Sequence, residues 1–206
     1  MDIKPIHQLS KHKFNLINRA AGRRLSVRSV GRVSIHVKEY FKSAINPNYE
    51  EFGVYIYNRL GEAKLYKILE GIVKDFGVDI EDVRKYMYKR IVLDTFFGAL
   101  AEDSIKKMLA KKYDLHLDYT DEDTDVSFSV DLYNNCTAIQ IKPHTYLSKN
   151  PYNVGLQQSK VSNAKKHEKY KQKTGVTPYY LYYDKDTHEL IKESVELLTT
   201  KYGKSV

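Results

Sequence analysis

A carboxylate, a carboxamide and an ammonium group stand at strand spacing near the middle of this chain, where together they could hold a cation and a phosphate. They are Asp131, Gln140 and Lys142. Val126, Phe128, Val130 and Leu132 alternate with Ser127, Ser129 and Asp131, and Ile139 and Ile141 stand between Ala138, Gln140 and Lys142. Period two on both sides of Asn134 and Asn135 predicts a hairpin with one apolar and one polar face. With the asparagines as a tight turn, Asp131 pairs with Ala138, Ser129 with Gln140 and Ser127 with Lys142. Asp131 then lies diagonal to Gln140, within reach of a shared ion or phosphate. The same alternation also describes a solvated sheet face, so the surrounding chain has to decide.

The surroundings are charged in blocks. Between residues 1 and 45 the cations Lys4, Lys11, Lys13, Arg19, Arg23, Arg24, Arg28, Arg32, Lys38 and Lys42 meet only Asp2 and Glu39, which accounts for the whole formal net charge of +8. The five arginines recur at spacings of four or five, so several share a side of a helix, and guanidinium forks suit phosphates. A second run, Lys160, Lys165, Lys166, Lys169, Lys171 and Lys173, contains one acid, Glu168. Between the runs, residues 114–131 hold Asp114, Asp118, Asp121, Glu122, Asp123, Asp125 and Asp131 with no Lys or Arg. Acids that can hold a cation, flanked by cations that can hold phosphates, suit a metal-dependent site on a nucleic acid.

At 206 residues and 42% hydrophobic composition, the chain can build one sizeable core with an appended lobe. No apolar run is long enough to span a bilayer or act as a secretory signal, so a soluble, cytoplasmic protein without membrane contact is expected. The lone Cys136 excludes an internal disulfide, and its predicted strand position suggests a small packed side chain. The histidines at 7, 12, 36, 116, 167 and 188 have no zinc-ligand spacing.

Elements must position these groups. Residues 1–92 read as a mainly helical, basic, DNA-binding region, with residues 27–37 a short strand or loop and a break at Asn46-Pro47-Asn48. Residues 60–76 form an amphipathic helix ended by Gly77, with Leu65, Ile68, Leu69, Ile72 and Val73 as its core face, and residues 80–92 a further helix. Gly53-Val54-Tyr55-Ile56-Tyr57 is similar to the opening of GIY-YIG nucleases, but the Tyr-Ile-Gly partner is missing. Residues 93–206 read as the part that carries Asp131, Gln140 and Lys142. A helix over 94–113, capped by Asp94 or Thr95, buries Phe97, Leu100, Ala101, Ile105 and Met108 and places Glu102 at the edge of that stripe. A short strand at 115–119, the hairpin, a lysine-rich helix over 154–173, an aromatic strand at 179–183 and a last helix follow. Antiparallel strands and then a helical crossover imply an α/β protein with a mixed sheet flanked by helices.

This order, with Glu102 in the first helix, an Asp on the second strand and Gln140-Ile141-Lys142 on the third, resembles the PD-(D/E)XK nuclease superfamily. The tail Ile139-Gln140-Ile141-Lys142-Pro143-His144-Thr145-Tyr146 resembles type II restriction endonucleases, most closely the MjaI-type enzymes. The resemblance implies a PD-(D/E)XK core and Mg²⁺-dependent, sequence-specific cleavage of double-stranded DNA that leaves 5′-phosphates, with Mn²⁺ able to substitute. Metal ligands would be Asp131 or Asp125, the carbonyl of Ile141, and Glu102. Lys142 would face the developing charge, and Gln140 replaces an acid of the family pattern. Both Asp125 and Asp131 point to the polar face by parity.

Base or phosphate contacts are expected from the N-terminal arginines, from His144 and Tyr146, and from Asn150, Asn153, Gln157, Gln158, Lys160, Lys165 and Lys166. A palindromic target implies a homodimer, and a restriction system implies a cognate methyltransferase that this chain does not touch. Two other readings share the charge pattern: a junction-resolvase-like repair nuclease, and a basic DNA-binding protein without catalysis.

Overall fold

A computed structural model describes residues 10–21, 33–150 and 154–203. The chain divides into two compact units, residues 1–99 and 100–206.

The first unit is helical in every described element: α1 (Lys11–Ala21), α2 (Val33–Ser43), α3 (Tyr49–Leu60), α4 (Glu62–Phe76) and α5 (Ile80–Tyr88), followed by a π-helical turn, Lys89–Leu93. Local sequence chemistry sets the boundaries. Asn48 accepts from the Glu51 amide at 2.9 Å to start α3, and Asp79 accepts from the Glu81 and Asp82 amides to start α5. Gly77, at φ +60, closes α4 as its glycine predicted, with Leu65, Leu69 and Ile72 buried. Phe52 packs at ring-centroid distances of 5.4 Å from Tyr40 and 6.0 Å from Phe96, and is fully buried with Ile56, Ile72, Val83 and Val92. Residues 33–37, expected within a strand or loop, belong to α2.

The π turn runs straight into α6 (Asp94–Tyr113), so Asp94 has helical angles and caps nothing. It instead bridges Lys89 at 3.2 Å and Arg90 at 2.6 Å. The expected stripe on α6 shifts slightly: Ala101, Ile105 and Leu109 are fully buried, whereas Phe97 is exposed and Phe96 is the buried ring.

The second unit holds the four-stranded sheet, in the order β1 (Asp118–Tyr119), β2 (Leu132–Tyr133), β3 (Ala138–Pro143), β4 (Tyr179–Tyr183). The first three strands are antiparallel neighbours, and β4 joins β3 in parallel after the crossover helix α8 (Val154–Thr174). A short helix α7 (Glu122–Phe128) precedes β2, a 3-10 turn (His144–Leu147) follows β3, and α9 (Lys192–Tyr202) follows β4. This is the mixed α/β arrangement expected. One sheet face is a carbon core in which Ile139, Ile141, Leu132 and Leu181 meet Ala101, Ile105 and Leu109 of α6 and Leu198 of α9. The opposite face is sealed at one end by Val130, Ala138 and Tyr170, with Phe128 and Val176 against them.

The hairpin departs from expectation in three ways. Residues 122–128 form α7 and not a strand, because Asp121 accepts from the Thr124 amide at 2.8 Å and acids in the first turn suit the helix dipole. Ser129, at φ +54, then turns the chain toward β2. The register is Leu132 to Ile139 and Tyr133 to Ala138, two residues from the expected one, so the side-chain parity survives and Asp131 comes beside Gln140. The connection is also longer than two residues: Asn134 donates its amide to the Thr137 carbonyl at 2.9 Å and takes the Cys136 amide on its side chain at 3.0 Å. Cys136 therefore sits on an exposed turn instead of packing inside a strand.

Candidate active site

The polar face of the sheet gathers three of the residues singled out in the sequence. Asp131 is 5% exposed and Gln140 2%, so both side chains are held away from water. Asp131 Oδ2 accepts from the Ile141 amide at 2.7 Å, while its backbone is pinned by Ile139 O at 2.9 Å and Thr120 N at 3.2 Å. Lys142 Nζ stands 4.0 Å from Asp131 Oδ2, at the outer limit of an ion pair, and its side chain remains partly exposed. Gln140 Oε1 is buried with no hydrogen-bond partner among the described residues. An orphaned carbonyl oxygen of this kind is unfavourable by about 1–3 kcal/mol unless something else satisfies it.

Helix α8 lies over this face and adds residues that the sequence reading missed. His167 Nε2 donates to the Ser129 carbonyl at 3.1 Å, and its ring lies 4.9 Å from that of Tyr180, the β4 partner of Gln140. Burial pushes the His167 imidazole below its usual range; the Ser129 carbonyl and the Asp131 charge oppose that shift and Lys142 adds to it. Asn163 accepts from Ser129 Oγ at 3.1 Å and donates to Tyr146 OH at 3.1 Å. Tyr180 lies between Tyr146 at 5.7 Å and Tyr182 at 5.8 Å, and burial, followed by Tyr146, drives its phenol pKa upward. A signal for this group was present: Asn163, His167 and Tyr170 recur at i, i+4 and i+7 on a helix otherwise rich in lysine.

Other expected residues lie on other elements. Asp125 is on α7, where its backbone carbonyl accepts from Ser129, so it does not share a strand with Asp131. Glu102 is on α6, the helix of the carbon face, near enough to Tyr119 to help raise that phenol's pKa after burial and Asp103 have done so. His144 is exposed and faces Asp184 at 3.7 Å. Gln157 donates to Asn150 O at 3.2 Å and Lys160 to Ser148 O at 2.7 Å, so both close the loop that leads into α8. Tyr146 is buried under Lys160, whose ammonium lies 5.7 Å from its ring centroid. Lys166 reaches Val126 O at 2.7 Å, and Gln158 and Lys165 are exposed on α8. Arg23, Arg24, Arg28, Arg32 and Asn153 lie outside the described residues, as does the side chain of Arg19 on α1.

The side-chain donors on the polar face are hard oxygens: the Asp131 carboxylate and the Gln140 amide oxygen. No cluster of three or more His, Cys, Asp or Glu side chains suited to a metal occurs among the described residues. The set therefore fits an ion such as Mg²⁺, which accepts one or two carboxylates and completes its shell with water and substrate phosphate oxygens. It does not fit zinc.

A mixed α/β protein with a buried acid and amide and a partly exposed lysine beside basic helical surface has the make-up of a nucleic-acid enzyme. The family model for the MjaI restriction endonuclease matches residues 14–194, across both units. The chain belongs to that family and is a nuclease that acts on DNA. No curated protein and no solved structure matches it. No described helix is long and apolar enough to cross a membrane.

Proposed function

We propose that this protein is a type II restriction endonuclease that hydrolyses double-stranded DNA at a specific sequence through a PD-(D/E)XK-type centre on the polar sheet face. The observation that carries the proposal is the orphaned Gln140 Oε1 buried beside Asp131, with Lys142 4.0 Å from that carboxylate. A divalent ion would satisfy the orphan and Asp131 together. Mg²⁺, or Mn²⁺ in its place, supplies Lewis acidity to a phosphoryl oxygen and lowers the pKa of water.

The chain's own groups divide the remaining work. Asp131, fixed by the Ile141 amide, presents its carboxylate in one orientation, and Gln140 offers a neutral oxygen where an acid would add charge. The Ile141 carbonyl completes the protein donors. Lys142 places positive charge against the phosphate as water attacks phosphorus and the P–O3′ bond breaks, leaving a 5′-phosphate and a 3′-hydroxyl. With a single buried carboxylate, metal affinity depends on the phosphate that arrives with DNA. Glu102 and Asp125 belong to this reading only if DNA draws them in.

The basic surfaces would hold the duplex: residues 1–92 through their arginines, and α8 through Lys165 and its exposed neighbours. Residues 93–206 would form the catalytic part, and two copies would meet the two strands of a palindrome. A cognate methyltransferase would protect the host DNA without touching this chain. Membership of a restriction endonuclease family supports sequence-specific cleavage over branch-specific nicking or binding alone. Digestion of a fully sequenced linear DNA with Mg²⁺ or with EDTA, beside Lys142→Ala, tests the proposal. Discrete, mappable fragments that require Mg²⁺ and vanish in the variant are expected; bound but intact DNA across salt and temperature overturns it.

A further inference from the structure

We infer that Asn163 and His167 of α8 are positioning residues for cleavage, clamping the two chain segments that carry Asp131 and Lys142. The inference rests on the proposed function of the polar face. Ser129 immediately precedes the Val130-Asp131 step, and Tyr146 follows Lys142 by one turn of 3-10 helix. Asn163 joins the two: its Oδ1 accepts from Ser129 Oγ and its Nδ2 donates to Tyr146 OH, both at 3.1 Å. One turn along the same helix, His167 donates from Nε2 to the Ser129 carbonyl at 3.1 Å. Because a carbonyl only accepts, the proton is on Nε2.

Ser129 needs holding. Its φ of +54 lies in the left-handed region, which a serine adopts at an energetic disadvantage unless its surroundings enforce it. Its carbonyl and its hydroxyl are tied to α8 by different side chains, while Thr120 Oγ1 fixes the next carbonyl, that of Val130, at 2.6 Å. Release of either tie lets residues 129–131 relax, and the Asp131 carboxylate moves relative to Gln140 and Lys142. Misplacement by about an ångström is enough to slow a reaction a hundredfold. Ring packing of His167 on Tyr180 continues the clamp into β4, next to Gln140.

Single-turnover cleavage by the full-length protein, with DNA binding measured in Ca²⁺ and thermal melting in EDTA, tests this. In His167→Ala and Asn163→Ala the rate at saturating DNA should fall about 10- to 100-fold, as for other residues that orient a metal ligand. The apparent Mg²⁺ constant should rise, and DNA affinity in Ca²⁺ should stay within about twofold of the parent's. His167→Gln places an amide N–H where Nε2–H was and should restore most of the rate with an unchanged pH profile. Ser129→Ala removes only the hydroxyl tie and should slow cleavage without unfolding, which keeps the test decisive if an alanine variant on α8 does not fold. Parental rates in Ser129→Ala and in the folded α8 variants, or a glutamine variant as slow as the alanine one, overturn the inference. No cleavage by the parent removes the proposed function and this inference with it; cleavage by the parent with unaffected variants removes this inference alone.

Discussion

The two faces of the four-stranded sheet are buried to a similar degree and built on opposite principles. On one, Ile139, Ile141 and Leu181 meet Ala101, Ile105, Leu109 and Leu198, all of them hydrocarbon side chains. On the other, Asp131, Gln140, Asn163 and His167 are also nearly inaccessible, yet each is a polar group that water would have solvated. The first face stabilises the fold, and the second draws on that stability to hold groups in a poor solvent. Substitutions should therefore separate cleanly into those that change stability and those that change rate.

The widest separation is expected at Lys142. Lys142→Ala should reduce cleavage by about 10³-fold, the scale of losing a charge-stabilising donor in a closed site, with little change in melting temperature. Its counterpart on the carbon face is Leu181→Ala, which should lower stability by about 2–5 kcal/mol by leaving a cavity, while the fraction that remains folded cuts at the parental rate. Denaturant titration and active-site-normalised cleavage on the same preparations check both. A Leu181→Ala protein that is stable but slow would break the division between the faces.

Gln140 sharpens the comparison because it belongs to the polar face but lacks a partner. Gln140→Leu should raise metal-free stability by about 1 kcal/mol by removing an unsatisfied oxygen, and should weaken Mg²⁺ activation. Gln140→Glu should do the reverse: repulsion from Asp131 lowers stability in EDTA, and the apparent Mg²⁺ constant falls by about tenfold, ~1.4 kcal/mol. Melting in EDTA and cleavage against Mg²⁺ concentration read out this crossing. Two variants that shift in the same direction on both axes would remove the metal from the account of Gln140.

Periodicity revealed the polar face but not its surroundings. Alternation in residues 138–142 identified Gln140 and Lys142 as neighbours on one side of a strand, and parity placed Asp131 with them even though the register was displaced by two. The helix of residues 122–128 was hidden because Val126 and Phe128 satisfy period two as well as a short helix does, and the Asp121 cap outweighed the alternation. Asp125 left the strand for that reason. Asn163 and His167 were obscured by their neighbours: lysines dominate α8, and polar side chains facing a polar sheet face leave no apolar stripe. Glu102 was placed by helical geometry relative to its own stripe, which says nothing of which sheet face the helix will cover.

The smallest expected effect concerns pH and touches only the polar face. Burial lowers the His167 pKa from its ordinary 6.5, with Lys142 acting in the same direction and the Ser129 carbonyl and Asp131 against it. Above pH 6.5 the imidazole is neutral in folded and unfolded chains, so its contribution to stability is fully present. As pH falls through 6.5 the unfolded chain binds the proton first, and stability is lost until the lower, folded pKa is passed. His167→Gln, which keeps the Ser129 tie without a titrating ring, should abolish that part of the loss in EDTA, so the melting curves of parent and variant draw together above pH 6.5 and diverge below it. The side chains named around Leu181 on the other face, Ile139, Ile141, Ala101, Ile105, Leu109 and Leu198, do not titrate, so Leu181→Ala should lower stability by the same amount across this range. If the parent and His167→Gln titrate in parallel, the imidazole is protonated as easily inside the fold as outside it, and the polar face is wetter than its burial indicates.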